Sequence, residues 1–377
     1  MNESLNLQDT IENFCTSFED NQLINIVPFG NGHINDTYLL TENDKDKTAY
    51  LLQRINDHVF KNVDGLSHNI ELVTAHLRDK VKASGGNPGK EVLQMVAAKD
   101  GSFFQQDQLG QYWRMYVFLP NTKSYDVVAT EEQAYQGGKA FGRFQAMLTD
   151  LPAAHLVATI PDFLNMEKRM EAFNKAVSAN KAGSAALVQE QISHIRRNAK
   201  KMCFFQQANN GKKLPLRVVH NDTKFNNVLL DEADLAQCVI DLDTVMPGYV
   251  AYDFGDAVRT MISTSAEDEA DLNRIQLNMP FFKAFTRGYL EEASWFLTAG
   301  ELQSLVIGAL LLPFMQGVRF LTDHLDGDLY YKIKFEGHNL QRAKAQLELF
   351  RKLEEKSGEL AAIIMDIHNE VTSSSNK

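Results

Sequence analysis

The sequence predicts an α+β chain in two lobes: a small antiparallel β-sheet lobe with one main helix, and a large, mostly helical lobe. Three observations predict it. At 377 residues the chain is long for a single hydrophobic core. Short segments of strand character, separated by glycine-containing turns, are concentrated in the first third. From Thr130 onward the apolar residues recur at helical spacing. The expected boundaries are residues 1–118 for the small lobe, a hinge at 119–124, a helical lobe at 125–372 and a disordered polar tail at 373–377.

The elements follow in order. Residues before 25 form an amphipathic helix with Leu5, Ile11, Phe14, Cys15 and Phe18 toward one side. Strands are expected at 24–29, 38–40 and 50–55, with Gly30-Asn31-Gly32 turning sharply after the first. A helix over 66–81 places Ile70, Val73, Leu77 and Val81 on one stripe, and the glycines of 85–89 make a loop. Two more strands, 92–97 and 111–118, complete the small lobe. Helices are expected at 131–148, 163–177 and 185–205, then short strands around residues 218–240, then helices from Asp253, closing with a long one over 339–368.

Composition is that of a soluble enzyme, and a net charge of −11 argues against a nucleic-acid partner, which would recruit a basic surface. Met1-Asn2-Glu3-Ser4 lacks the basic and apolar pattern of a signal peptide. The longest apolar candidate, 302–314, falls short of the roughly 20 residues that span a bilayer. The expectation is a cytoplasmic protein with no membrane contact. Cys15, Cys203 and Cys238 are far apart with no C-x-x-C spacing, so neither a zinc site nor a disulfide framework is expected. None of them, and no serine, opens a C/S-x-P-x-R segment, which excludes a sulfatase nucleophile.

The chemistry concentrates in 218–243. His220-Asn221-Asp222 followed by Asn227 reads H-x-D-x-x-x-x-N on a loop, and Asp241 and Asp243 follow the next apolar run. Phosphoryl transfer needs an oxygen base to orient the attacking hydroxyl, and carboxylate and amide oxygens to hold Mg²⁺ over the phosphates. Asp222 fits the first role, Asn227 and Asp241 the second, and Asp243 could share the ion or bind another. Lys224 is placed to neutralise the γ-phosphate, whereas His220 reads as a packing residue. Asp253 and Asp256 read as helix N-caps, with Asp253 also able to brace the loop. Gly30, Asn31 and Gly32 could cover phosphates with backbone amides, and His33, Asn35 and Asp36 make that turn unusually polar.

Four segments, PFGNGHINDTY, LLQRIN, VHNDTKFNNVLL and VIDLDTVMPG, resemble the aminoglycoside phosphotransferase and choline kinase superfamily, which has the bilobal protein-kinase-like fold. They look most like the N-acetylhexosamine 1-kinases, over roughly residues 20–360. The resemblance implies an ATP- and Mg²⁺-dependent kinase with a small-molecule partner, phosphorylating the anomeric hydroxyl of an N-acetylhexosamine such as GlcNAc or GalNAc. It implies Asp222 as base and Asn227 and Asp241 as metal ligands. It also implies a sugar site of His33, Asp36, Arg319 and Tyr330, and adenine bound along the connector at Val117 and Leu119.

One departure bears on the phosphates. Kinases of this fold carry a lysine on the third strand, paired with a helix glutamate. Here that strand reads Leu51-Leu52-Gln53-Arg54-Ile55, so Gln53 or Arg54 must substitute, with Glu71 as the candidate partner. Two other readings stay open: the same chemistry on choline, ethanolamine, an aminoglycoside or homoserine, and a nucleotide-binding module without catalysis.

Overall fold

The computed structural model describes residues 2–14, 16, 25–30, 34–42, 48–210 and 214–375. Alternation along extended segments builds the small lobe. Helix α1 (Asn2–Glu12) precedes β1 (Asn25–Pro28), β2 (Asp36–Thr41) and β3 (Tyr50–Ile55). Then come α2 (Val63–Ala83), the short α3 (Pro88–Glu91), β4 (Gln105–Gln106) and β5 (Tyr112–Val117). The five strands form one antiparallel sheet in the order β1-β2-β3-β5-β4. Successive side chains point to opposite faces. Tyr50, Leu52, Trp113 and Met115 therefore pack outward with Ile11 and Phe14 of the α1 region. Leu51, Ile55, Tyr112 and Tyr116 pack inward with α2. The inward face receives Leu66, Ile70, Val73, Leu77 and Val81, all at 5% exposure or less, which is the expected helical stripe. The Asn62 side chain caps α2 by accepting from the Gly65 amide.

Residues 92–97, expected as a strand, contribute only broken pairing to β5: Val96 N–H to Met115 O and Val117 N–H to Gln94 O, each 2.9 Å. Leu119 is buried in the small-lobe core, and Lys123 exchanges two 2.8 Å backbone bonds with Leu230 as the chain leaves the lobe.

The larger part is helical. It holds α4 (Glu131–Met147), α5 (Met166–Ala179), α6 (Gln189–Met202), α7 (Phe204–Asn210), α8 (Val250–Met261), α9 (Met279–Ala293), α10 (Ala299–Asp326), α11 (His338–Glu355) and α12 (Ser357–Ser375). Two small hairpin-like pairs interrupt it: β6 (Arg217–Val219) with β9 (Met246–Gly248), and β7 (Val228–Leu230) with β8 (Ala236–Val239). The expected 185–205 helix is broken, with a 3-10 turn at Ala185–Val188 before α6 and a separate α7 after it. The expected 339–368 helix divides at Lys356. The expected disordered tail is helical through Ser375, with 376–377 outside the described residues.

Helix α10 is the one described helix long and apolar enough to cross a membrane by length and composition, yet 72% of its most apolar stretch is buried in the helical core. Its faces pack on α5, α8 and α11. At the α8 crossing the backbones touch. A Cβ on Gly255 would lie 2.2 Å from Gly308 O, and one on Gly308 would lie 2.0 Å from Ala251 O. Only glycine permits that approach, and it brings the acidic residues of α8 under the loop described next.

Candidate active site

Strand β6 delivers the chain into the loop 220–227, and one buried carboxylate shapes it. Asp253 is not a cap, since α8 begins earlier, after Tyr249. Instead its Oδ2 accepts from the His220 amide (2.9 Å) and Gln145 Nε2 (2.7 Å), while Oδ1 accepts from the Asn221 amide (2.7 Å). Thr223 Oγ1 donates to Asp253 O at 2.6 Å. Burial pushes this carboxyl up, and the donors around it work against that shift. Asn221 takes a left-handed conformation (φ 65°) and donates from Nδ2 to Thr244 O at 2.9 Å. His220 is fully buried between the edges of Phe141 and Phe144. Its Nδ1 accepts from the Asp222 amide (3.3 Å), so Nε2 is the nitrogen that donates to Ile240 O (2.9 Å). His220 is structural, as its place in the motif suggested.

This scaffold presents Asp222 half-buried, with Lys224 Nζ 2.9 Å from Oδ1. Burial alone would raise the Asp222 carboxyl, but Lys224, with His220 and Arg259 behind it, outweighs this and holds it below the usual carboxylate range. Asp222, then Asp256, hold the Lys224 ammonium well above its ordinary value. Asn227 donates from Nδ2 to Asp222 O at 2.7 Å, leaving Oδ1 as the atom available to a cation. Ile240 N–H donates to Asn227 O at 2.9 Å, which ties the loop to Asp241 in the next segment. Asp241 is left-handed (φ 60°) and exposed. Partial loss of hydration among its neighbours, then the charges of Asp243 and Asp222, push its carboxyl up to about 6. Asp243 is not available to a metal. It is 3% exposed, 2.5 Å from Arg114 Nη1, and accepts from Asn35 Nδ2 at 2.7 Å. Asp256 lies inside α8 rather than at its start and binds Arg259 Nε at 2.9 Å; Arg259 also meets Glu267 at 3.0 Å.

The small lobe corrects several expectations. Gln53, not Arg54, faces inward, since it donates to Thr37 Oγ1 and accepts from Arg114 Nε, each 3.0 Å. Arg54 and Asp36 are cross-strand partners on the opposite face, ion-paired to each other in solvent, so neither lines the cleft. Strand parity decides this: Asn35 and Thr37 turn in and Asp36 turns out. Glu71 is exposed on α2 and has no ion pair among the described residues. The Val117 amide is already bonded to Gln94 O and is closed to adenine; Leu119 keeps its place on the connector, its carbonyl accepting from Thr122 Oγ1 (2.9 Å). Gly30 adopts φ 78° as a turn requires, and Asn31, Gly32 and His33 lie outside the described residues.

On the helical side Arg319 and Tyr330 come together around Tyr331. The Arg319 guanidinium sits over the rings of Tyr331 (5.5 Å) and Phe163 (5.8 Å) and binds Gln316 Oε1 (2.8 Å). Tyr330 is exposed, edge-on to Tyr331 at 4.8 Å. Asp323 does not pair with Arg319 but accepts from the amides of Leu329, Tyr330 and Tyr331. Burial, then Arg319, lower the Arg169 guanidinium, so two cations share this corner. A polar line from Asp222 through Lys224, Asp256, Arg259 and Glu267 leads toward it. The sequence reading missed Arg114, Arg259 and Glu267. Arg114 had a signal, a lone charge in the otherwise aromatic and apolar run 112–117, where burial demands a partner.

The profile of the phosphotransferase enzyme family matches residues 25–293. The chain belongs to that family. Solved structures with the same fold include an amicoumacin kinase in complex with AMP-PNP, Ca²⁺ and Ami (15% identity, 93% of this chain and 94% of that one, TM-score 0.57). They also include a choline kinase from Cryptosporidium parvum (11%, 94% and 96%, 0.57) and an ethanolamine kinase from Plasmodium vivax (13%, 88% and 84%, 0.55). The chain is thus a phosphotransferase by family, and it shares its fold with these small-molecule kinases.

Proposed function

We propose that this phosphotransferase moves the γ-phosphoryl group of ATP, with Mg²⁺, to the anomeric hydroxyl of an N-acetylhexosamine, giving the sugar 1-phosphate. The observation that carries the chemistry is Asp222, ionised beside Lys224 and held within one loop turn of Asn227. Its carboxylate accepts the acceptor hydroxyl's proton in a hydrogen bond and aims the oxygen at phosphorus. A depressed pKa suffices because the anomeric hydroxyl is more acidic than an ordinary alcohol. Lys224, 2.9 Å from Asp222, is the cation that would neutralise charge on the transferred group. Asn227 Oδ1 and the open Asp241 carboxylate are the two hard oxygens that fit a divalent cation. Among the described residues no cluster of three His, Cys, Asp or Glu could hold a metal alone, which suits an ion that arrives on nucleotide phosphates and neutralises their charge.

The acceptor class is supported by charge. Arg169, Arg319 and Lys224 oppose a cationic choline, ethanolamine or aminoglycoside, whereas ring faces beside a guanidinium suit a neutral polyhydroxylated ring. Asp36, turned outward by Arg54, is removed from the proposed sugar contacts, leaving Arg319 and Tyr330 to carry them with His33. The test is ADP release from ATP–Mg²⁺ over N-acetylglucosamine, N-acetylgalactosamine, glucose, choline, homoserine and kanamycin, with Asp222→Asn as control. Turnover on the two acetylated sugars is expected. Turnover on choline or kanamycin instead would discard the sugar site and keep the loop chemistry.

A further inference from the structure

We propose that Arg114, on β5, is the buried small-lobe cation of this chain where other kinases of this fold place theirs on the third strand, and that it anchors the metal-bearing segment 241–243 to the small lobe, and so sets Asp241. This rests on the nucleotide-kinase reading above. The lysine's place is held by Gln53, which has no charge to offer. Arg114 is Gln53's direct partner across the β3–β5 ladder, so its side chain leaves the sheet on the same face, one strand over.

The contacts define a relay. Thr37 Oγ1 accepts from Gln53 Nε2, Gln53 Oε1 accepts from Arg114 Nε, and Arg114 Nη1 meets Asp243 Oδ1 at 2.5 Å. Asn35, itself held by the Asn56 amide (3.0 Å), donates to the other Asp243 oxygen. Arg114 and Asp243 are 2% and 3% exposed, so the ion pair is unscreened, and either charge alone would be costly there. The Tyr116 ring lies 5.3 Å below the guanidinium and fixes its plane. A planar fork can serve Gln53 and Asp243 at once, which a lysine's point charge could not do as well from this strand. Thr159 Oγ1 holds the Asp243 carbonyl from the helical lobe (2.9 Å), so Asp243 is the knot between lobes and Asp241 is two residues from it. Arg114 is therefore a positioning residue, acting through Asp243 and not on substrate.

The experiment is calorimetric titration of ATP into wild type, Arg114→Met, Arg114→Lys and the double variant Gln53→Lys/Arg114→Met, each with Mg²⁺ and with EDTA. Arg114→Met should weaken ATP–Mg²⁺ binding about 10- to 100-fold and change metal-free ATP binding by less than about twofold. Returning the cation to β3 in the double variant should recover part of the loss, a rescue that simple packing damage would not show. Because Arg114→Met strands a buried carboxylate, Arg114→Met/Asp243→Asn is titrated beside it, with circular dichroism as the folding control. Wild-type ATP–Mg²⁺ affinity in a folded variant lacking Arg114 would overturn the proposal alone. Failure of wild type to bind ATP–Mg²⁺ would overturn the kinase reading and this proposal together. Equal loss with and without Mg²⁺ would also overturn it, by making Arg114 a general structural residue.

Discussion

The loop 220–227 and the small-lobe sheet hold their polar groups in opposite ways. In the loop, donors from residues 220–223 converge on one residue, Asp253: two backbone amides on its carboxylate and the Thr223 hydroxyl on its carbonyl. In the sheet, side chains bond to side chains from β2 through β3 and β5 into the segment at 243. The first arrangement gathers donors that are neighbours in the chain onto one acceptor of α8, and depends on the place of that one helix. The second exists only while three strands keep register, because a one-residue slip would exchange Gln53 for Arg54 and send the relay outward. The loop therefore concentrates its polar contacts on one residue, whereas the sheet distributes them over three strands.

Substitutions can break this contrast at graded strength. Asp222→Asn should lower kcat about 10²- to 10⁴-fold, with ATP affinity unchanged by calorimetry; retained turnover would remove Asp222 as base. Asp253→Ala leaves two loop amides buried without an acceptor, and urea unfolding should register a loss of about 2–5 kcal/mol. A loss no larger than that of a surface substitution would show that the loop is held from elsewhere. Arg319→Ala should raise the acceptor KM about tenfold, near 1.4 kcal/mol, with little change for ATP. An unaltered acceptor KM would confine Arg319 to packing Phe163 and Tyr331. Arg54→Ala removes only a solvent-screened pair and should cost less than about 1 kcal/mol. If it instead weakened ATP–Mg²⁺ binding tenfold, the assignment of the two sheet faces would be wrong.

The same contrast explains what could be read from the sequence. Asp222, Asn227 and Asp241 stand within one stretch, so their spacing alone brings them together, and the bracing role of Asp253 followed from it. The α2 stripe was visible because its period is local. Gln53 against Arg54 was undecidable from one strand, because parity is set by the partners β2 and β5. Asp36 was misplaced for that reason, and Arg114 was overlooked because its partner lies more than a hundred residues away. Glu71 lost its role because the stripe that buries α2 turns that position to solvent. Asp256 misled because α8 begins after Tyr249, too early for it to be a cap.

The glycine crossing of α8 and α10 has a metrical consequence. Gly308 fixes α10 against the helix that carries Asp253, and Arg319 lies eleven residues (319 − 308) further along the same helix. At 1.5 Å per residue that interval measures about 16 Å. Pro313 falls between them and sets any bend at one place. Helix α10 thus acts as a gauge bar, clamped at one end to the helix that braces the loop 220–223 and carrying Arg319 at a preset distance. A residue inserted between Gly308 and Arg319 would swing the arginine about 100° around the bar, so the acceptor contact proposed for Arg319 hangs on the length of one helix.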